Sequence, residues 1–377
     1  MNGILKYTGL ALTVTLVACG GTDEGPDGNA NALLPQYRAA IPSEAQLMAS
    51  SPKGSSNAKV GDPATFPAVS QNIVVIINGS VGHIINTMKG IVALEPDLYN
   101  SETKEFFWGP YPNEDGFGTV AAYIKDAGEG GDFRYHYALL RGVDKDVAKM
   151  KPVIWGGATP DPSNEEHGAG VTLWDFEANH AFEKDNNPDY ANLKLDRGRF
   201  VAVYGAGAGD KGEGAFVVSV LRNFVPKDKP AEMPVNLDYF YGHFHDGTHT
   251  LDFLDWQSKF DIHNDGTKTA AESVGVHMAF LDEGTGRAEA QAKEGDLAAN
   301  QVADIVECWD AAIAQTYVSL ATSTGGVQDG QISEGDAASC GIFQKSLAEL
   351  GVPSLEDVNA ELMSKLEEVA TNGAPVE

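Results

Sequence analysis

The chain has 377 residues, with 26 Lys and Arg against 54 Asp and Glu, and a net charge of −28 at neutral pH. So acidic a surface repels phosphate backbones, which are bound by clustered cations, and nucleic acid is excluded as a partner. The length suffices to bury a sizeable core.

Residues 1–18 read as a lipoprotein signal peptide. Lys6 supplies the positive start, residues 9–17 are apolar and uncharged, and Leu16-Val17-Ala18-Cys19 ends the run with small residues at the cut. A membrane-spanning helix needs about 20 apolar residues; this run is shorter and is followed at once by Gly20-Gly21-Thr22-Asp23-Glu24-Gly25-Pro26. The expectation is cleavage before Cys19 and lipid on its sulfur. Each buried methylene contributes about 0.8 kcal/mol, so two or more acyl chains hold almost permanently. The membrane is therefore an expected partner through an anchor. By analogy with other lipoproteins, Gly20 in place of Asp after the cysteine points to a cell-envelope location at the outer membrane.

Residues 19–67, rich in Gly, Pro, Ser, Asn and Ala, read as a lipidated flexible tether with one helical turn near 43–48. Residues 73–94 are mostly apolar but broken by Asn78, His83, Asn86 and Lys89, which predicts a core helix ended by Pro96. From Phe106 onward, short alternating runs punctuated by Gly and Asp-Gly predict antiparallel strands at 119–124, 133–139, 170–178, 199–204, 215–224, 235–244, 248–253, 274–281 and 287–292. The stretches 168–176 and 247–253 look alike, each a turn leading into Asp-Phe, as in a weak internal repeat. A helical period returns over 302–320. A last amphipathic helix is expected over 354–370, with Leu355, Val358, Leu362, Leu366 and Val369 on one face.

The predicted fold is mainly β with flanking α: a large antiparallel curved sheet or open barrel with an N-terminal helix and C-terminal helices. Its units are 1–18, 19–67, a β domain over 68–345, and a helix and tail over 346–377. With Cys19 consumed by lipid, Cys308 and Cys340 are left as a single pair in an oxidising compartment, and a disulfide is expected.

The sharpest chemical cluster is His243, His245 and His249. In a strand the first two point to one face, and Asp246-Gly247 turns the chain back toward them. Three imidazoles meeting there suit zinc or copper with an open fourth position; an exposed hairpin is the alternative. Asp261, His263, Asp265, Gly266 and Glu272 fit the spacing of a calcium loop, but a strand-like approach and a histidine at a hard-ligand position argue for a polar turn. Ser80, after 73–77, resembles a nucleophile elbow without its first glycine or its preceding strands, so a capped helix start is preferred. The glycines over 205–214 read as a hairpin loop. Asp175 with Glu177 and Asp252 with Asp255, beside Trp174 and Trp256, have the composition of a sugar site, although ordinary face alternation explains them.

Phe107-Trp108-Gly109-Pro110, Tyr135-His136-Tyr137, Gly284-Thr285-Gly286-Arg287 and Glu307-Cys308-Trp309-Asp310 with Ala338-Ser339-Cys340 together resemble a myxobacterial-type lipoprotein family over residues 70–345. The resemblance implies export, strands and the cysteine pair, with no assigned catalytic residues and no part for the histidines. In outline, a helix followed by a large antiparallel sheet is also similar to periplasmic carriers of lipidated proteins, whose half-barrel holds acyl chains. The expectation is a lipid-anchored protein with a binding or structural role toward an envelope protein. A carrier of a hydrophobic small molecule is the first alternative, and a metal-assisted hydrolase using the histidines is the second.

Overall fold

A computed structural model describes residues 28–52, 61–114, 116–209, 212–228, 234–245, 249–262 and 269–373. Cys19 and the signal segment, with His263, Asp265 and Gly266 of the calcium-loop spacing, lie outside these residues. Among them, fifteen strands form one antiparallel sheet in simple sequence order, open between its two edge strands. They are β1 Leu98–Asn100, β2 Glu105–Pro112, β3 Thr119–Asp126, β4 Tyr135–Gly142, β5 Lys151–Asp161, β6 Asn164–Asp175, β7 Arg197–Gly209 and β8 Gly212–Val225. The second half comprises β9 Val235–His245, β10 Thr250–Phe260, β11 Glu272–Leu281, β12 Gly286–Lys293, β13 Gln301–Trp309, β14 Gln315–Thr324 and β15 Val327–Gly335. The mainly β expectation is met, and the sheet does not close.

Both faces of the central strands are covered, because their alternate residues are apolar on both sides. On β7, Phe200, Ala202 and Tyr204 face one core, while Val201 faces the other. The first face carries three helices: α1 Gly28–Arg38, α2 Glu44–Leu47 and α3 Thr65–Ala93. One register row across its centre reads Tyr137, Gly156, Thr172, Ala202, Ser219 and Tyr239. The four small residues in its middle let α2 sit directly on β6, β7 and β8, with Leu47 fully buried. Glycine at 156 and 170 answers to close approach: a Cβ there would meet the rings of Tyr137 and Tyr204 at 2.4 and 2.3 Å from their hydroxyls.

The described residues of the stretch expected to be a tether, 28–52 and 61–67, are thus part of the domain. Leu34, Tyr37, Ile41 and Leu47 are buried, and Tyr37 packs its ring edge-on against Phe106 at 4.9 Å. The cause is tertiary: these short polar helices are held by a few apolar side chains that find the sheet.

α3, of 29 residues, is about 43 Å long and crosses the strands. It starts beside β13 and β14, where Pro63 bridges Ala314. In its second turn, the Trp256 Nε1–H of β10 donates to Ser70 Oγ at 2.9 Å. At its end, the Trp108 Nε1–H of β2 donates to the Leu94 carbonyl at 3.0 Å. It is long and apolar enough to cross a membrane by length and composition, but Val74, Ile77, Val81, Ile85 and Met88 are buried in the core.

The opposite face is crossed by a C-terminal strap, residues 336–372, ending in α5 Ala360–Asn372. Cys340, buried against β13, lies at disulfide distance from Cys308, with Cα atoms 5.4 Å apart. Further along, side chains from successive strands stitch the strap down. Arg287 of β12 donates to the Phe343 carbonyl, Asp255 of β10 accepts from Leu355 N–H at 2.8 Å, and Arg199 of β7 donates to the Thr371 carbonyl at 2.7 Å. Phe343, Leu347, Leu366 and Val369 fill the second core.

Three local expectations are overturned. Residues 302–320, read as helical, are β13, a turn and the start of β14. Residues 176–178, read as the end of a strand, begin α4 Phe176–Asn186, because the Asp175 carboxylate accepts from Ala178 N–H at 2.8 Å and caps it. That also ends the likeness to 247–253, since Asp252 stays inside a strand. The last helix starts at Ala360 rather than Ser354: Asn359 accepts from Glu361 and Leu362 N–H, while Val358 is extended.

Candidate functional site

The histidines lie at one rim of the sheet. His243 and His245 share a face of β9, opposite Asp252 and Thr250 of β10. His245 Nδ1 lies 3.2 Å from Thr250 Oγ1, and the His243 ring packs by Tyr241 with centroids 6.2 Å apart. His249 falls beyond the last paired position, beside the β11–β12 turn, because Leu251 pairs with Leu281. Its imidazole therefore groups with Asp282 and Glu283, the three offering ligand atoms within 4.8 Å of one another, all exposed. The three imidazoles do not share a centre. The partners Asp282 and Glu283 were missed because only strand register brings that turn alongside. One nitrogen and two carboxylates suit a divalent cation such as zinc or calcium, although solvent competes at so open a position.

Behind this rim, the Tyr241 hydroxyl donates to Asp252 at 2.5 Å, and the Ser50 hydroxyl lies 3.4 Å from the same oxygen. Burial pushes the Asp252 carboxyl above its ordinary range, opposed by the Tyr241 hydrogen bond and by His243. The cluster clasps the chain after α2 onto β9 and β10. Asp255, three residues on, faces the strap on the other side of the sheet, so Asp252 and Asp255 do not form a carboxylate pair.

A cleft of about 320 Å³ lies at the opposite end of β7 and β8, lined by Arg197, Arg199, Arg222, Glu177, Asn223 and Pro234 among others. Each guanidinium is already paired. Arg197 contacts Glu177 at 3.3 Å, Arg199 contacts Asp175 at 2.9 Å, and Arg222 contacts Asp238 at 2.7 Å and also Glu367 of α5. Burial alone would raise the Glu177 carboxyl, but Arg197 outweighs it and holds it low. Asp175 and Glu177, read as a sugar-site pair, are thus a helix cap and an ion-pair partner.

The remaining candidates have structural places. Ser80 lies inside α3, neither at an elbow nor at the helix start. Asn78, in the same helix, exchanges two hydrogen bonds with the Ala49 backbone, at 3.0 and 2.7 Å. Glu272, the last calcium-loop position, is buried and accepts from the N–H groups of Ile262 and Asp296. The glycines over 205–214 belong to the β7–β8 hairpin.

Comparison with family models, curated proteins and solved structures returned no match for this chain.

Proposed function

We propose that this is a lipid-anchored cell-envelope protein with a binding or structural role, a lipoprotein of the myxobacterial type that its sequence marks resemble. The observation that carries the non-catalytic part is the destination of its buried charges. Glu307, Asp255 and Glu272 hold backbone N–H groups, and Arg287 holds a backbone carbonyl. Groups so committed fix segments to the sheet and are not poised over a cleft. The lipobox at Cys19 and the Cys308–Cys340 pair support export. The space over the sheet that an acyl chain would need in a carrier is taken by α1, α2 and α3, which favours a partner bound outside the core, such as an envelope protein.

Intact-mass spectrometry of the full chain, exported by a bacterium that processes lipoproteins and purified without a histidine tag, tests this reading. A mass lacking residues 1–18 and carrying a diacylglyceryl group with further acylation is expected. A mature chain with an unmodified Cys19 would end it.

A further inference from the structure

The chain carries 54 Asp and Glu, yet none falls between Asp62 and Glu95, the stretch that holds α3. While one side of α3 is buried, Asn72, Val75, Ile76, Asn86, Gly90 and Leu94 are exposed along the other, Val75 at 63% and Leu94 at 50%. Surface helices of acidic domains ordinarily turn a charged face outward. The described outer face of α3 is neutral or apolar apart from Lys89. The carboxylate of Glu44 touches its flank, 3.3 Å from the Asn86 amide.

A second, independent observation concerns reach. Because α1 begins at Gly28, eight residues lie between it and Cys19, a span of about 30 Å at full extension. A domain of this size has a radius of gyration of about 20 Å, and α1 packs on α3. So short a link keeps the start of α1, and with it the face bearing the helices, within about 30 Å of whatever holds Cys19. Anionic headgroups repel carboxylates, and aliphatic side chains gain from entering the interface.

We infer that the acid-free outer face of α3 is the surface on which the domain rests against lipid headgroups, with Val75, Ile76 and Leu94 entering the interface. This rests on the lipid-anchor reading. The acidic remainder of the domain is kept off the bilayer by the same charge that α3 lacks.

The test uses the full lipidated protein in vesicles of phosphatidylethanolamine and phosphatidylglycerol, with and without brominated acyl chains. A tryptophan is introduced by Val75→Trp or, on the strap, by Leu350→Trp. The five native tryptophans are buried and give a constant background. The Val75→Trp protein is expected to shift its emission to the blue and lose the added fluorescence in brominated vesicles, while Leu350→Trp keeps both. If both variants float with the vesicles but neither is quenched, or both are quenched alike, the proposed surface is wrong and the anchor stands. If the unsubstituted protein itself fails to float and carries no lipid on Cys19, the anchor reading falls, and this proposal with it.

Discussion

Glu307 and Arg38 bind opposite ends of the same helix. The Glu307 carboxylate, buried on β13, accepts from the N–H groups of Thr65 and Phe66 at 2.9 Å each and from the Gln315 amide at 2.5 Å. Arg38, at the end of α1, donates to the carbonyls of Val92, Ala93 and Leu94 at 2.6, 3.1 and 2.9 Å. A negative group thus sits at the positive end of α3 and a positive group at its negative end, in accord with the helix dipole. Glu307→Ala is expected to lower stability by about 3 kcal/mol, since it leaves buried N–H groups unpaired. The more exposed Arg38→Ala is expected to lose about 1 kcal/mol. Denaturant unfolding measures both, and equal losses would contradict the difference in burial.

Arg141 and Glu183 form a buried ion pair at 2.6 Å, their side chains 6% and 1% exposed, which fastens α4 to β4. Glu183 also accepts from Phe117 N–H and the Asn187 amide, and Arg141 also donates to the Phe117 carbonyl. Glu183→Ala is expected to destabilise by about 3–5 kcal/mol because it strands a buried guanidinium. Arg141→Met combined with Glu183→Leu should recover most of that loss. A double variant no more stable than the single one would show that the pair does more than neutralise charge.

The Cys308–Cys340 pair closes a loop across a sequence separation of 32. Replacing both by Ser is expected to lower stability by about 3–4 kcal/mol on the chain-entropy account. Thiol labelling of the unfolded, unreduced wild type should find neither cysteine reactive. Labelling of both would contradict the pairing.

Asp255 gives a pH dependence of defined sign. Burial raises its carboxyl above the ordinary range, more than His277 nearby lowers it, and Glu356 and Asp357 push it further up. A folded-state pKa above the unfolded one, about 3.9 for Asp, contributes stability that is present below the unfolded value and lost as pH rises through the folded one. Asp255→Asn is therefore expected to gain stability relative to wild type at pH 7 and to lose that advantage near pH 4, read as the difference in Tm. A difference independent of pH would refute this.

Much of the sheet was legible because Gly-punctuated, alternating runs such as 119–124 and 215–224 can form little else. What escaped has identifiable causes. Pro67 reads as the end of a tether, yet it lies in the first turn of α3, where its missing N–H has no intrahelical partner to lose. Val302, Ile305, Val306 and Trp309 recur at helical spacing, but on β13 they divide between the two faces of a doubly covered sheet. The candidate metal cluster failed for a related reason. The same-face rule places His243 with His245 correctly, but only the pairing of β10 with β11 shows that His249 belongs with Asp282 and Glu283.

Retention on membranes tests the central claim most directly. Membranes from cells producing wild-type protein or the Cys19→Ser variant are washed with alkaline carbonate. The wild type is expected to stay in the membrane pellet, and Cys19→Ser to be released as soluble, folded protein. Persistence of Cys19→Ser in the washed pellet would contradict anchoring by lipid on that cysteine.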